Sequence, residues 1–142
     1  MAHIVFGAEL TIIARNRGFI LRIERELMRG AGPVAVLKLL EDGPKYGYEM
    51  VSALSNTADG VLDMGQSTLY PMLYNMESQG YIKATWSEAD TGRQRKYYQL
   101  TASGKKRLAD SEKQWRALAQ AFVGLGILGL PKGQPSLGGA TP

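Results

Sequence analysis

Within residues 65–80, apolar side chains fall at Leu69, Leu73 and Met76, with Met72 beside them. That three-and-four spacing predicts a helix with one face in a core. The opposite face carries Gln66, Ser67, Tyr70, Tyr74, Asn75 and Ser78, hydrogen-bonding groups with no acid before Glu77. Gly80 stands where helices commonly end on a left-handed residue. Two strand-forming runs follow, Tyr81-Ile82-Lys83-Ala84-Thr85-Trp86 and Arg95-Lys96-Tyr97-Tyr98-Gln99-Leu100, with a polar loop over 87–92. A helix with a polar outer face followed by a basic hairpin is the layout of a winged helix-turn-helix, whose helix enters a DNA groove.

The flanking pattern completes the domain. Ile20, Ile23 and Leu27 share one face of a predicted helix over 19–29. Gly30-Ala31-Gly32 should interrupt it, and Pro33 suits the first position of a new helix, where its missing N–H costs nothing. Residues 34–40 are almost continuously apolar and read as the buried centre, after a kink or break at Gly32-Pro33. Asp42-Gly43-Pro44 is a turn. Tyr46, Met50 and Leu54, with Val51, predict the first helix of the helix-turn-helix over 46–56. Val61 and Leu62 are expected to plug the core beneath the connection over 57–64.

Thr101 is a good N-cap for a last helix. Leu108, Ser111, Trp115, Leu118, Phe122 and Leu125 alternate steps of three and four, the narrow seam of a helix that pairs with another helix. Leu108, Ser111, Trp115, Leu118 and Phe122 are the expected dimer interface, and Leu125 ends the seam. The expected organisation is therefore an N-terminal extension over 1–18, as an added element or a loosely ordered segment. A winged helix-turn-helix with its N-terminal helix follows over 19–101, and a dimerisation helix over 102–125. A Gly/Pro-rich tail over 126–142 is expected to be disordered. The fold class is mainly α with a small β-hairpin.

Composition narrows the function. The 142-residue chain is 44% hydrophobic and 21% charged, ordinary for a soluble domain. Its net charge of +4 favours polyanionic partners. The distribution says more, because residues 91–107 hold six Lys or Arg and no acid. With no cysteine, disulfides, thiol catalysis and cysteine-ligated zinc are excluded. The single histidine, His3, lacks the rigid support that a catalytic relay or a metal site needs. Neither a glycine-rich phosphate loop nor metal-ligand spacing is present, so neither an enzyme nor a cofactor is expected. No apolar run approaches the ~20 residues of a membrane span. Glu9, Arg15 and Arg17 interrupt the partly apolar start, which also lacks a signal-peptide cleavage pattern. A cytoplasmic protein is expected.

Four motifs carry a family resemblance: Tyr46-Gly47-Tyr48-Glu49, Thr68-Leu69-Tyr70-Pro71, Gly80-Tyr81-Ile82, and Gly92-Arg93-Gln94-Arg95-Lys96-Tyr97-Tyr98-Gln99-Leu100-Thr101. In order and spacing the chain resembles the PadR-like transcriptional regulators over roughly residues 25–122. The resemblance implies a dimeric bacterial repressor with an N-terminal winged helix domain and a C-terminal dimerisation helix. It also puts a proline where Pro71 stands, so the bend there is intended geometry. Relatives often carry a basic residue near Tyr74 or Asn75; this chain has none, and phosphate attraction must come mainly from the wing.

Candidate DNA contacts follow. Gln66 and Asn75 can bond adenine bidentately, while Ser67, Tyr70 and Tyr74 can reach bases or phosphates. Thr68 can reach DNA, cap the helix or pack. Arg93, Arg95 and Lys96 are expected at or just after the wing tip, on phosphates or in a minor groove. Tyr97 and Tyr98 point to opposite strand faces, so only one can face DNA. The plainer alternatives are a solvated polar helix face and a hairpin kept soluble by its charge. Trp115 is first of all packing in the dimer seam. In some PadR-like regulators a tryptophan on this helix sandwiches flat aromatic drugs with its symmetry mate, which makes Trp115 a candidate contact for a small aromatic effector. The expected partners are double-stranded DNA with a pseudo-palindromic operator and a second copy of the chain, with no membrane. The alternative function is a winged-helix module that binds protein and has no DNA role.

Overall fold

The computed structural model describes residues 22–129; the expected extension over 1–18 and most of the expected tail lie outside them. The order is α1 (Arg25–Leu39), β1 (Lys45–Tyr46), α2 (Gly47–Ser55), α3 (Gln66–Ser78), β2 (Ile82–Glu88), β3 (Gln94–Leu100) and α4 (Ala102–Gly124). Single 3-10 turns at Leu40–Asp42 and Ala58–Gly60 punctuate it. Met50, Leu54, Leu69, Leu73, Ile82 and Val36 are the largest fully buried side chains. They come from α1, α2, α3 and β2, so one core joins the three helices to the hairpin.

Three expectations about the first half need correction. The break at Gly30-Ala31-Gly32 is absent: α1 runs through it with Pro33 inside. Proline removes one helical hydrogen bond, yet Val36, Leu37 and Leu40 are all buried beyond it. Gly32 itself is buried, and a Cβ there would meet the Met72 side chain at 2.7 Å. That glycine provides close helix packing and does not end the helix. Under the α2–α3 connection Leu62 packs half-buried against the core as expected, but Met64 is the buried plug and Val61 is not part of it. The hairpin also gains a third strand. Lys45 and Tyr46 pair antiparallel with Tyr98 and Tyr97, giving the sheet order β1-β3-β2.

The junction after α3 fixes how the wing and α4 leave the core. Gly80 adopts φ +81, and Tyr81 N–H donates to the Met76 carbonyl at 3.0 Å, closing α3. β2 and β3 then pair from Ile82–Leu100 to Glu88–Gln94. Both strands reach further toward the tip than expected, leaving a turn over 89–93. Thr101 Oγ1 accepts from Gly104 N–H at 3.0 Å and donates to the Gly80 carbonyl at 2.6 Å. Thr101 therefore caps α4 and ties it to the end of α3. Gly104 sits so close to the Tyr81 carbonyl that a Cβ would overlap backbone.

From there α4 packs along α1. Lys38 Nζ reaches Glu112 at 3.1 Å and Glu41 at 2.7 Å, and these two partners, Glu41 foremost, hold the ammonium above its ordinary range. Leu108, assigned above to the dimer seam, is buried in the chain's own core. The part of the stripe that its own domain leaves exposed therefore begins further along. At its far end α4 closes on Gly126 at φ +82, with Ile127 N–H donating to the Phe122 carbonyl at 2.8 Å. The expected tail thus starts as an ordered helix stop.

Because the obstacle at Gly104 is backbone, it cannot yield as a side chain would. Gly104→Ala should cost about 3 kcal/mol of stability, and Thr101→Ala about 1 kcal/mol through the lost cap. Urea unfolding measures both, and an unchanged midpoint for Gly104→Ala would mean that α4 leaves the domain by another path.

Candidate nucleic-acid interface

Helix α3 turns Leu69, Leu73 and Met76 inward, as its spacing predicts, and leaves Gln66, Ser67, Thr68, Tyr70, Tyr74 and Asn75 exposed. Tyr74 is 71% exposed, an uncommon setting for so large a ring in a folded chain. The helix carries no acid in its first turn and no cation at all. Its one charge, Glu77, is taken up by the wing: Lys96 Nζ lies 3.8 Å from Glu77 Oε1. The outer surface of α3 is thus a neutral array of amide, hydroxyl and phenol groups. Such groups can read the donor and acceptor pattern of base edges.

Strand alternation sorts the wing cations. Lys96 and Tyr98 lie on the face toward α3, Tyr98 buried and Lys96 half-buried, with the Lys96 ammonium 5.4 Å from the Tyr98 ring centre. Burial pushes the Tyr98 phenol above its ordinary range, against the pull of nearby Lys96. On the other face the Arg95 guanidinium stacks 4.3 Å from the Tyr46 ring centre, and Tyr46 meets Tyr97 edge-on at 5.5 Å. Arg95 and Lys96 are therefore held in place along β3, away from the tip. Only Arg93 is in the turn, where its carbonyl accepts from Ala89 N–H at 2.7 Å and its side chain is exposed. The two tyrosines point to opposite strand faces as expected: Tyr98 is core, and Tyr97 is half-buried against Tyr46.

Tyr70 is less free than a groove-reading residue would be. It is 42% exposed, and its phenol lies over Gly47 so closely that a Cβ at Gly47 would overlap the ring. The Tyr46-Gly47 and Thr68-Leu69-Tyr70-Pro71 motifs thus meet in space. Around them Trp86, Lys96 and Tyr98 line a depression of about 300 Å³ between α3 and the wing. Trp86 stands opposite Lys96 in the β2–β3 register and is 66% exposed. It was not among the residues singled out from the sequence. The alternation of Ile82, Ala84 and Trp86 places it on the α3-facing side and is the signal that finds it.

Beyond Leu108, α4 leaves the core. Ser111 is half-buried, Trp115 is 40% and Leu118 44% exposed, and Phe122 is half-buried. Trp115 and Leu108 line one wall of a shallow apolar groove of about 400 Å³, with Ala31, Val34 and Ala35 of α1 opposite.

The sequence profile described as the Transcriptional regulator PadR-like family matches residues 36–110, from the last turn of α1 to the first turns of α4. The chain belongs to the PadR-like family. Solved structures agree with this. A padr family transcriptional regulator from Eggerthella lenta DSM 2243 is 36% identical, with a TM-score of 0.60, 70% of this chain covered and 85% of that one. A Streptococcus transcriptional regulator shares 29% identity at a TM-score of 0.65, with 72% and 99% covered. A PadR family transcription regulator from Clostridium difficile R20291 shares 30% at 0.60, with 66% and 95% covered.

As a PadR-like protein the chain is a DNA-binding transcriptional regulator and not an enzyme. Among its described residues no group of His, Cys, Asp and Glu is arranged to hold a metal, and no helix is long and apolar enough to cross a membrane. Of the candidate contacts, Gln66, Ser67, Thr68, Tyr74, Asn75 and Arg93 are openly exposed, while Tyr70, Arg95 and Lys96 also serve packing.

The Gly47–Tyr70 contact makes a prediction of sign. Gly47→Ala should destabilise the wild-type regulator, because the Tyr70 ring must move. In a Tyr70→Ala background the same change should be neutral or stabilising, since alanine is the better helix former by up to ~1 kcal/mol. A double-mutant cycle should give a coupling of about 1–3 kcal/mol. Additive effects would mean that the two motifs do not touch.

Proposed function

We propose that this PadR-like regulator is a dimeric repressor. Helix α3 of each subunit enters the major groove of one half of a pseudo-palindromic operator, and the wing tip holds the adjoining backbone. The observation that carries the proposal is the neutral, hydrogen-bonding face of α3 beside a basic wing. Gln66 and Asn75 are assigned to base edges, Ser67, Thr68 and Tyr74 to bases or nearby phosphates, and Arg93 to a phosphate. Tyr70 and Lys96 set the angle between helix and wing, and both border its DNA-facing edge. Arg95 contributes charge from its fixed stack on Tyr46.

The dimer uses the part of α4 that its own domain leaves bare. Trp115, Leu118 and Phe122 form the seam, Ser111 lies at its inner edge, and Leu108 is excluded by burial in the core. A two-fold seam buries the same patch on both subunits and so sets the spacing of the two α3 helices. A small aromatic effector would lie against Trp115 in the groove toward α1, where it can shift that spacing by binding one arrangement better than the other.

Two measurements test this reading. Arg93→Ala should weaken binding to all duplexes alike and flatten the log–log salt slope by about one unit per lost phosphate contact. Gln66→Ala or Asn75→Ala should cost ~1–3 kcal/mol per half-site on the operator and leave the slope alone. If neither kind of change affects binding, α3 and the wing do not form the interface. Separately, Leu118→Glu with Phe122→Glu should turn a dimer at micromolar concentration into a monomer in sedimentation, while far-UV circular dichroism is retained. A persisting dimer places the seam elsewhere.

A further inference from the structure

The cations that would hold DNA have so far all come from one side of α3. Around a helix of 3.6 residues per turn, Glu77 and Asn75 lie about 160° apart, with Tyr74, Ser67 and Ser78 between them. Glu77 faces the wing through Lys96. Asn75 faces the other way, onto an open cleft of about 840 Å³ between α3, the start of α1 and the first turns of α4. Thr68 and Gln79 share that shoulder of α3.

The lining of this cleft is strongly basic. Arg22, Arg25 and Arg29 approach from α1 and the residues before it, and Arg107 from α4; Asp63 is the single acid on the wall. All four arginines are exposed. Of these four arginines only Arg29 is ion-paired among the described residues, with Glu26 at 3.3 Å, and both partners are open to solvent, where such a pair is worth little. Arg107 is braced over the Tyr81 ring at 5.6 Å, at the junction that fixes α4. Four exposed guanidinium groups around one concavity, nearly without internal counter-charge, suit a phosphate-bearing anion.

We propose that this arginine cleft is a second phosphate clamp, holding the DNA strand across the major groove from the strand held by the wing. The groove is ~12 Å wide, so a helix lying in it has a phosphate backbone on each side. The wing occupies one side of α3 and the arginines occupy the other. This explains how a recognition helix without any cation can still be seated: its charge is supplied from both shoulders, and its own face is left for base edges. The inference rests on the assignment of α3 to the groove, and adds Arg22, Arg25 and Arg107 as backbone-binding residues.

The test compares the two sides in the full-length protein. Arg25→Gln combined with Arg107→Gln should weaken binding to operator and random duplex alike and flatten the salt slope by about two units per half-site, or about four per bound dimer. Lys113→Gln, an exposed change further along α4, should leave the slope unaltered. Within each half-site, ethylation interference with the wild-type protein should show essential phosphates on both strands flanking the groove. In the double variant the cluster across from the wing should disappear and the wing cluster remain. If Arg93→Gln flattens the slope but the double variant keeps both the wild-type slope and its interference pattern, the clamp is wrong and the α3 assignment stands. If the double variant does not fold, the wild-type interference pattern decides alone, and essential phosphates on only the wing strand of each half-site would overturn the clamp. Failure of the wild type to bind any duplex would remove the proposed function itself.

Discussion

The approach of Gly104 to the Tyr81 carbonyl is the constraint on which the geometry of this regulator depends. Three elements meet there: the end of α3, the start of β2 and the first turn of α4. Thr101 reinforces the meeting by bonding the Gly80 carbonyl while capping α4. A backbone-to-backbone approach leaves no rotamer to adjust, so the directions of recognition helix, wing and last helix are set together. Core burial then holds this arrangement from below, through Leu73, Met76, Ile82, Leu100 and Leu108.

Charge is arranged with similar economy. Surface ion pairs are worth little individually, and the Lys96–Glu77 contact is of that kind. Its effect is geometrical: it removes the only charge of α3 from the face that meets solvent and turns it toward the wing. Arg95 on the Tyr46 ring is likewise a fixed positive charge, held by the strand that joins α2 to the sheet. Helix α3 is left with neutral groups on its outer face, whose hydrogen bonds depend on fit. Long-range attraction is left to its neighbours.

Much of this was legible in the chain itself. Helix α3 follows from Leu69, Leu73 and Met76, and its stop from Gly80, because one buried stripe and one left-handed residue leave little choice. The hairpin follows from its two strand-forming runs. Strand β1 has only two residues, too few to show a period, and exists through its pairing with Tyr97 and Tyr98. Pro33 was misleading because a local breaker was weighed without its context: Gly32 before it packs on Met72, and Val36 and Leu37 after it are buried. Leu108 shows a different limit. Spacing along α4 identifies an apolar stripe, but the same stripe serves the chain's own core at Leu108 and is bare at Leu118. Periodicity says which face is apolar, and only the path of the helix says what covers it. At the candidate interface, residue types were readable from sequence and their engagements were not. Neither the stack of Arg95 on Tyr46 nor the seat of Tyr70 over Gly47 leaves a local pattern.

Helix α4 has 23 residues, of which Gly104 and Leu108 are buried and the remainder runs outward. At about 1.5 Å per residue it is a rod of roughly 34 Å. A rod clamped near one end is a lever. A displacement of about 3 Å at its far end corresponds to a tilt of only about 5° at the clamp. That small rotation occurs where α3 ends and the wing begins. Whatever displaces the far end therefore acts on the surface formed by α3 and the wing with a mechanical reduction of several-fold. A coarse event among the exposed apolar side chains of α4 becomes a fine adjustment of the angle at which α3 is presented.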